Sequence, residues 1–264
     1  VLAFALIVGL LTSASTAMAQ TTYNLWIAGV QVTSANCSDL SVIPDVTGTV
    51  KYDPATKVLT LQNATIQINT TKAIKSNIDG LTIKVIGTNN LTTGNNTALY
   101  LTEPLTITGG GVLNANSGTV PAIYAEGTSL TIDGCTVNAK GKWGIAGWNG
   151  SSETLTIKNS TVTAEGTSGS IVDFASLTLD GCAITEPAGA AFDASLHAVA
   201  LGGAKVTSKV VISPTGGEPN MSRYITLTVA KDSAIKLDFK AAAAGTPVRI
   251  VSGSNTRDIT VGTN

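Results

Sequence analysis

Charge is scarce in this chain. Asp, Glu, Lys and Arg make up 12% of its 264 residues, and the formal net charge is −1. So few cations cannot build the basic face that nucleic acid requires, and disorder driven by charge repulsion is excluded with it. Arginine is missing from residues 1–222, and His197 is the one histidine. Aromatic residues are 5% of the chain, so each Trp and Tyr has to be accounted for individually. There are three cysteines, Cys37, Cys135 and Cys182, an odd number for an exported chain. Beyond the first residues, no stretch approaches the ~20 apolar residues of a membrane span.

The first residues, VLAFALIVGLLTSASTAMAQ, are an apolar run followed by small residues and Ala-Met-Ala. That is the apolar region and cleavage site of a secretory signal peptide over residues 1–19, cut between Ala19 and Gln20. The expected location is secreted or cell-surface. No Cys follows the run, so a lipid anchor is not indicated. With no initiator Met or basic lead-in, the chain reads as truncated at its N-terminus.

What is abundant is Thr, Asn, Gly, Ala, Val and Ile, a composition that favours strands and turns over helix. They are arranged in a repeat. The stretch SLTIDGCTVNAKG (residues 129–141) has relatives that begin at Leu59, Leu81, Leu105, Leu130, Leu155, Leu177 and, degenerately, Val199. The spacings are 22, 24, 25, 25, 22 and 22 residues, which signals a solenoid. Each motif alternates apolar-Thr-apolar, so Thr60, Thr82, Thr106, Thr131, Thr156 and Thr178 should point outward from a strand. A second inward residue follows seven positions on, at Ile66, Val137, Val162, Ile184 and Val206, and slightly later at Leu91 and Leu113. A third segment pairs a small residue with an apolar one: Ala73-Ile74, Ala98-Leu99, Ala122-Ile123 and Gly144-Ile145. Three short strands per coil describe an all-β fold, a right-handed parallel β-helix of about seven coils. At about 4.8 Å per coil it would be roughly 30 Å long.

A leucine-rich repeat fits part of the pattern. Leu130-Thr-Ile132-Asp-Gly-Cys135-Thr-Val137 matches its strand, and the period lies in its range. The preceding Leu position is filled by Thr56, Thr102, Gly127 and Ser152, however, and the return half of each coil lacks a helical apolar period. The column Ala64, Ile86, Gly110, Cys135, Ser160, Cys182, Ala204 reads as a tight inward corner. It places Cys135 and Cys182 two coils apart, about 9–10 Å, beyond disulfide reach.

The solenoid reading divides the chain into a β cap at 20–57, the β-helix at 58–213, a Pro/Gly-rich linker at 214–223 and a β-rich segment at 224–264, itself read as truncated. A solenoid's open ends need caps, and Trp26 is expected in the core of the first one. Tyr23 to Thr33 (YNLWIAGVQVT), Tyr52 to Thr56 (YDPAT) and the repeated Leu-Thr-Ile-x-Gly resemble the secreted β-helix proteins of Bacteroidetes. That resemblance covers residues 23–212. It implies a cell-surface, carbohydrate-binding type of protein and names no site residues.

Catalysis is poorly provided for. A β-helix lyase needs clustered carboxylates for Ca²⁺ and an Arg or Lys base; a glycosidase needs paired carboxylates. Asp133, Lys158 and Asp180 share one outward column, but the Lys between the acids makes it a charge ladder. Asp79, Glu103 and Glu153 occupy another, interrupted by Thr128, and a weak cation site there is the only metal possibility. No phosphate loop or Cys/His metal spacing occurs, His197 reads as a turn or core residue, and no cofactor is indicated. The outward Thr column suggests an ice-binding face, but the charged column beside it spoils the flat, uncharged surface this needs.

Aromatics are the remaining lead. Tyr100 and Tyr124 fall just after the inward apolar residue on adjacent coils, and Trp143 and Trp148 flank the equivalent point on the next. Four outward rings could stack on sugars. The leading expectation is a non-catalytic module for a polysaccharide or a host or cell-surface glycan. The alternatives are a stalk or adhesin presenting a C-terminal region to a protein partner, and a polysaccharide-cleaving enzyme.

Overall fold

A computed structural model describes residues 20–215, 247–252 and 255–260. Residues 1–19, where a signal peptide is expected, and residues 216–246, with the expected linker and the start of the C-terminal segment, lie outside the described residues. The chain divides into two compact units between Met221 and Ser222.

The first unit is a parallel β-solenoid. Its coils begin in β4 (Val58–Ile68) and β5 (Ile74–Ser76). The second coil is β6 (Leu81–Ile86), β7 (Thr88–Thr93) and β8 (Leu99–Leu101), and the third is β9 (Leu105–Thr108), β10 (Val112–Ser117) and β11 (Pro121–Ala125). In the fourth and fifth coils the second and third strands fuse. These coils are β12 (Ser129–Asp133) with β13 (Thr136–Gly147), then β14 (Thr154–Lys158) with β15 (Thr161–Val172). A last strand, β16 (Ser176–Asp180), ends the parallel stack. The first face therefore stacks β4, β6, β9, β12, β14 and β16, about 24 Å from first strand to last at about 4.8 Å per step.

Alternation decides which side chains fill the tube. Leu81, Ile83, Ile107, Leu130, Ile132, Leu155 and Ile157 are fully buried, and Leu105 nearly so. Each such side chain stabilises by about 1.5–3 kcal/mol. The threonines between them align outward as Thr82↔Thr106↔Thr131↔Thr156↔Thr178. Thr60 does not join them, because β4 pairs two residues out of the expected register. Leu59 opposes Ile83 and Thr60 opposes Lys84. The true first period is thus 24 residues, within the range of the other coils. Only a tally of apolar-Thr-apolar triplets favours Leu81 as the partner.

The second face is also re-registered. Ile66 aligns with Leu91, Ala115, Ala139 and Ala164, whereas Val137 and Val162 share a column with Leu113 and Asn89. Asn89 is fully buried at the head of that column. Its Oδ1 accepts the Ala64 N–H at 2.9 Å, and its Nδ2 donates to the Ile86 and Val112 carbonyls at 3.2 Å. One position on, facing out, the amides of Asn90, Asn114 and Asn138 form a ladder with links of 2.8 and 2.9 Å. The third face stacks Ile74, Leu99, Ile123, Ile145 and Ile171 inward. Outward it stacks Lys75, Tyr100, Tyr124, Ala146 and Val172.

Both ends are finished by antiparallel strands. At the start, β1 (Thr22–Ile27) and β2 (Val30–Thr33) form a hairpin through Ala28 and Gly29, both at positive φ. β1 then pairs with β5, and β3 (Val46–Asp53) with β4. Trp26 is not in the core of this cap. Leu25 and Ile27 point inward and are fully buried, so Trp26 lies half-buried on the outer side. At the other end come β17 (Cys182–Glu186), β18 (Ala191–Asp193), β19 (Ala198–Leu201), β20 (Ala204–Lys205) and β21 (Val210–Pro214). Val199 does not start a seventh coil: β19 runs antiparallel to β18 and β20, and β21 closes antiparallel on β15 and β17. Nothing pairs with the far edge of β16 among the described residues, and Leu177 and Leu179 are consequently only half-buried.

The corner column holds in the later coils. Ser160 sits between the two cysteines, its Oγ accepting the Cys135 N–H at 3.3 Å and its own N–H pointing to Cys182 Sγ at 3.3 Å. The Asp133↔Lys158↔Asp180 register is as expected. Lys158 nevertheless makes no ion pair, since those among the described residues are Lys140–Glu165, Lys205–Asp173 and Lys209–Glu186. The second unit contains a hairpin of β22 (Pro247–Ser252) and β23 (Asn255–Thr260), paired from Pro247↔Thr260 to Ser252↔Asn255.

Candidate aromatic cleft

The outer side of the third face is where the aromatics gather. Inward Leu99 and Ile123 fix the alternation, so the next residues, Tyr100 and Tyr124, must emerge on the outside of adjacent strands. Their ring centroids are 5.8 Å apart and the planes tilt by 44°. Trp143 enters from β13 opposite Pro121, where a register shift at Gly141/Trp143 swings it toward the same side. Trp148 follows β13 in the loop to the next coil and is 61% exposed. All four rings line one cleft of about 430 Å³, with Lys72, Asn96 and Asp173 among its polar groups. Its apolar floor is a small cluster separate from the tube core: Ala146, Val172 and Ala198, with Tyr124, Trp143 and Leu196 packed against it.

Glu153 fastens the loop that carries Trp148. Its side chain is fully buried, and Oε2 accepts the Ser152 N–H at 3.2 Å. Burial pushes its carboxyl up, but backbone N–H groups of Glu153, Ser152, Trp148 and Asn149 outweigh that and hold it below the usual range. Asn149 adds a turn of its own, Oδ1 accepting the Ser151 N–H at 2.9 Å and the Ser151 hydroxyl at 2.5 Å. The bare backbone of Gly147 is also required, since a Cβ there would sit 1.9 Å from the Asp173 carbonyl oxygen.

The rings are partly dressed with cations. Lys72 Nζ lies 4.7 Å from the Tyr100 centroid, Lys142 Nζ 4.6 Å from that of Trp143 and Lys75 Nζ 4.5 Å from that of Trp26. Sequence reasoning did not find these lysines. Lys75 was legible as the outward residue before Tyr100 in the repeat, but Lys72 reaches its ring from the segment before β5 and Lys142 from β13 at its register shift. The Tyr100 hydroxyl donates to Glu126 Oε2, and Asp173 is paired with Lys205 at 3.1 Å. Burial raises the Tyr124 hydroxyl above its ordinary value, and the negative charges of Glu153 and Asp173 add to the effect.

Other candidates do not assemble. Asp79 and Glu103 are exposed while Glu153 is buried in its loop, and no group of three His, Cys, Asp or Glu side chains that could hold a metal occurs among the described residues. His197 occupies a turn at φ +52°, its Nδ1 3.3 Å from the Phe174 carbonyl oxygen and its ring packed against Gly150. A larger hollow of about 560 Å³ beside β3 and β4 is lined by Asp45, Thr47, Gln67, Ile68 and neighbouring polar side chains, with no ring. It offers hydroxyls, amides and the Ile68 side chain, but no aromatic ring for a sugar to stack on. Comparison with models of known protein families, with curated proteins and with solved structures finds no match to this chain.

Proposed function

We propose that the protein is an exported, non-catalytic binding module that takes a polysaccharide or cell-surface glycan in the aromatic cleft. The observation that carries this reading is the convergence of Tyr100, Tyr124, Trp143 and Trp148 on one cleft, outside the tube and not needed for its core. Flat apolar rings beside a few amides and charges are the usual recipe for a sugar site. Hydrolysis by two carboxylates is disfavoured by the one acid in the lining, Asp173, which is tied to Lys205. The apolar run at 1–19 supports export to the cell surface or medium.

A second reading draws on the separate compact unit after Ser222: a stalk or adhesin that presents this unit to a protein partner. A glycan array together with a reducing-sugar release assay distinguishes the readings. Binding without release supports the module, release reveals an enzyme, and neither result leaves the stalk.

A further inference from the structure

We infer that the polymer taken by this face is anionic, a uronate- or sulfate-bearing polysaccharide lying along the solenoid axis from Trp26 to Trp143. The inference rests on the carbohydrate reading above and names its ligand class.

The three lysine–aromatic contacts among the described residues, Lys75 on Trp26, Lys72 on Tyr100 and Lys142 on Trp143, all lie on the third face. None of these ammonium groups has a carboxylate within ion-pair distance among the described residues, where the ion pairs are made by Lys140, Lys205 and Lys209. Of the acids nearby, Asp173 pairs with Lys205, Glu126 accepts from the Tyr100 hydroxyl and Glu153 is buried in its loop, and none ion-pairs with these three lysines. A chain of net charge −1 thus carries, on the face that holds its exposed rings, three lysine ammonium groups without an ion-pair partner among the described residues.

Chemistry matches this pattern to an acidic sugar. Its ring C–H surface fits against an aromatic face, and its carboxylate or sulfate reaches the ammonium beside that face. Lys72 and Lys75 are half-buried, so their charges are less screened by water than those of ordinary surface lysines. The site is also long. Trp26, Lys75, Tyr100, Tyr124 and the Trp143 strand follow one another across β1, β5, β8, β11 and β13. Four steps of about 4.8 Å make roughly 19 Å, the reach of several sugars. A single-stranded nucleic acid is the competing polyanion. It is disfavoured by the absence of arginine before Arg223 and by the net negative charge.

The test is native gel electrophoresis of the full chain through gels containing polygalacturonate, alginate or chondroitin sulfate. Each is run beside the same polymer with carboxylates methyl-esterified and sulfates removed, and beside poly(dT). At low ionic strength at least one polyanion should retard the protein while its neutralised form does not, and 0.15 M salt should weaken the retardation. The Lys72→Gln/Lys75→Gln/Lys142→Gln variant should raise the apparent Kd roughly tenfold or more, with an unchanged β-sheet circular dichroism spectrum. Equal retardation by charged and neutralised polymers, or an unaffected Lys variant, would overturn the anionic assignment and leave the aromatic cleft standing. Preference for poly(dT) would overturn it in favour of nucleic acid. No retardation by any polymer would sink the carbohydrate reading as well.

Discussion

Asn89 is the polar residue on which the tube is expected to depend most. It is fully buried in a column that continues as Leu113, Val137 and Val162, and it holds three backbone groups. Asn89→Leu keeps the volume and removes all three bonds. The Ala64 N–H then loses its acceptor inside the core, at about 1–3 kcal/mol, and the two carbonyls lose about 0.5–1.5 kcal/mol each. Better burial of an apolar side chain returns about 1.5 kcal/mol, leaving a net loss of about 0.5–4.5 kcal/mol, centred on about 2.5. Asn89→Asp should be worse at neutral pH, because it places a charge against two carbonyls. The introduced carboxyl has a folded-state pKa above its unfolded one. Its penalty is therefore full above the folded value and relieved as pH falls through it. Urea unfolding followed by circular dichroism measures both. An Asn89→Leu protein as stable as the parent would refute the assignment of Asn89 as the hub of the first corner.

Three further perturbations test other parts of the structure. Ile132→Asp buries an unpaired charge in the tube and should prevent folding or secretion, whereas Thr131→Asp, on the outer side, should cost far less; equal losses in a secretion assay would mean inside and outside are exchanged. Glu153 has a depressed pKa, so its hold on the Trp148 loop is fully present above its unfolded value and lost as pH falls through its lower folded value. Protease cleavage of that loop should rise over that range, and Glu153→Gln should flatten the profile while making the loop more labile at pH 7. Gly147→Ala drives a Cβ into the Asp173 carbonyl and should destabilise by about 1–3 kcal/mol and lower polysaccharide binding; thermal unfolding without a shift would contradict the packing beside the cleft.

The tube was legible in the sequence because one face dictates it. The alternation around Leu130-Thr-Ile132 leaves a single way to bury the apolar residues, and Tyr100 and Tyr124 then follow on the outside of the third strand. The ends were not legible. Leu59-Thr-Leu61 satisfies the motif in either of two registers, and pairing with β3 as well as β6 selects the one that opposes Leu59 to Ile83. Val199 imitates a motif too, but β18 and β20 turn its strand antiparallel. Trp26 looked like cap core because a large apolar ring is usually buried. Its flanking Leu25 and Ile27 take the inward positions and leave it outside with Lys75. Lysine–ring contacts made from outside the repeated positions, as by Lys72 and Lys142, have no periodic signal, so the charge of the cleft emerged only from the three-dimensional arrangement.

The central claim is that the outward rings bind polysaccharide. It is tested most directly by pull-down on insoluble polysaccharides with the parent and with Tyr100→Ala/Tyr124→Ala/Trp148→Ala. These rings contribute little to the tube core, and truncating one buried stacking aromatic costs about 2 kcal/mol or more, roughly thirtyfold in affinity. The triple variant should therefore lose binding while its β-sheet circular dichroism is retained. Undiminished binding by a folded triple variant would contradict the account and move the site to the polar hollow beside β3 and β4 or to the unit after Ser222.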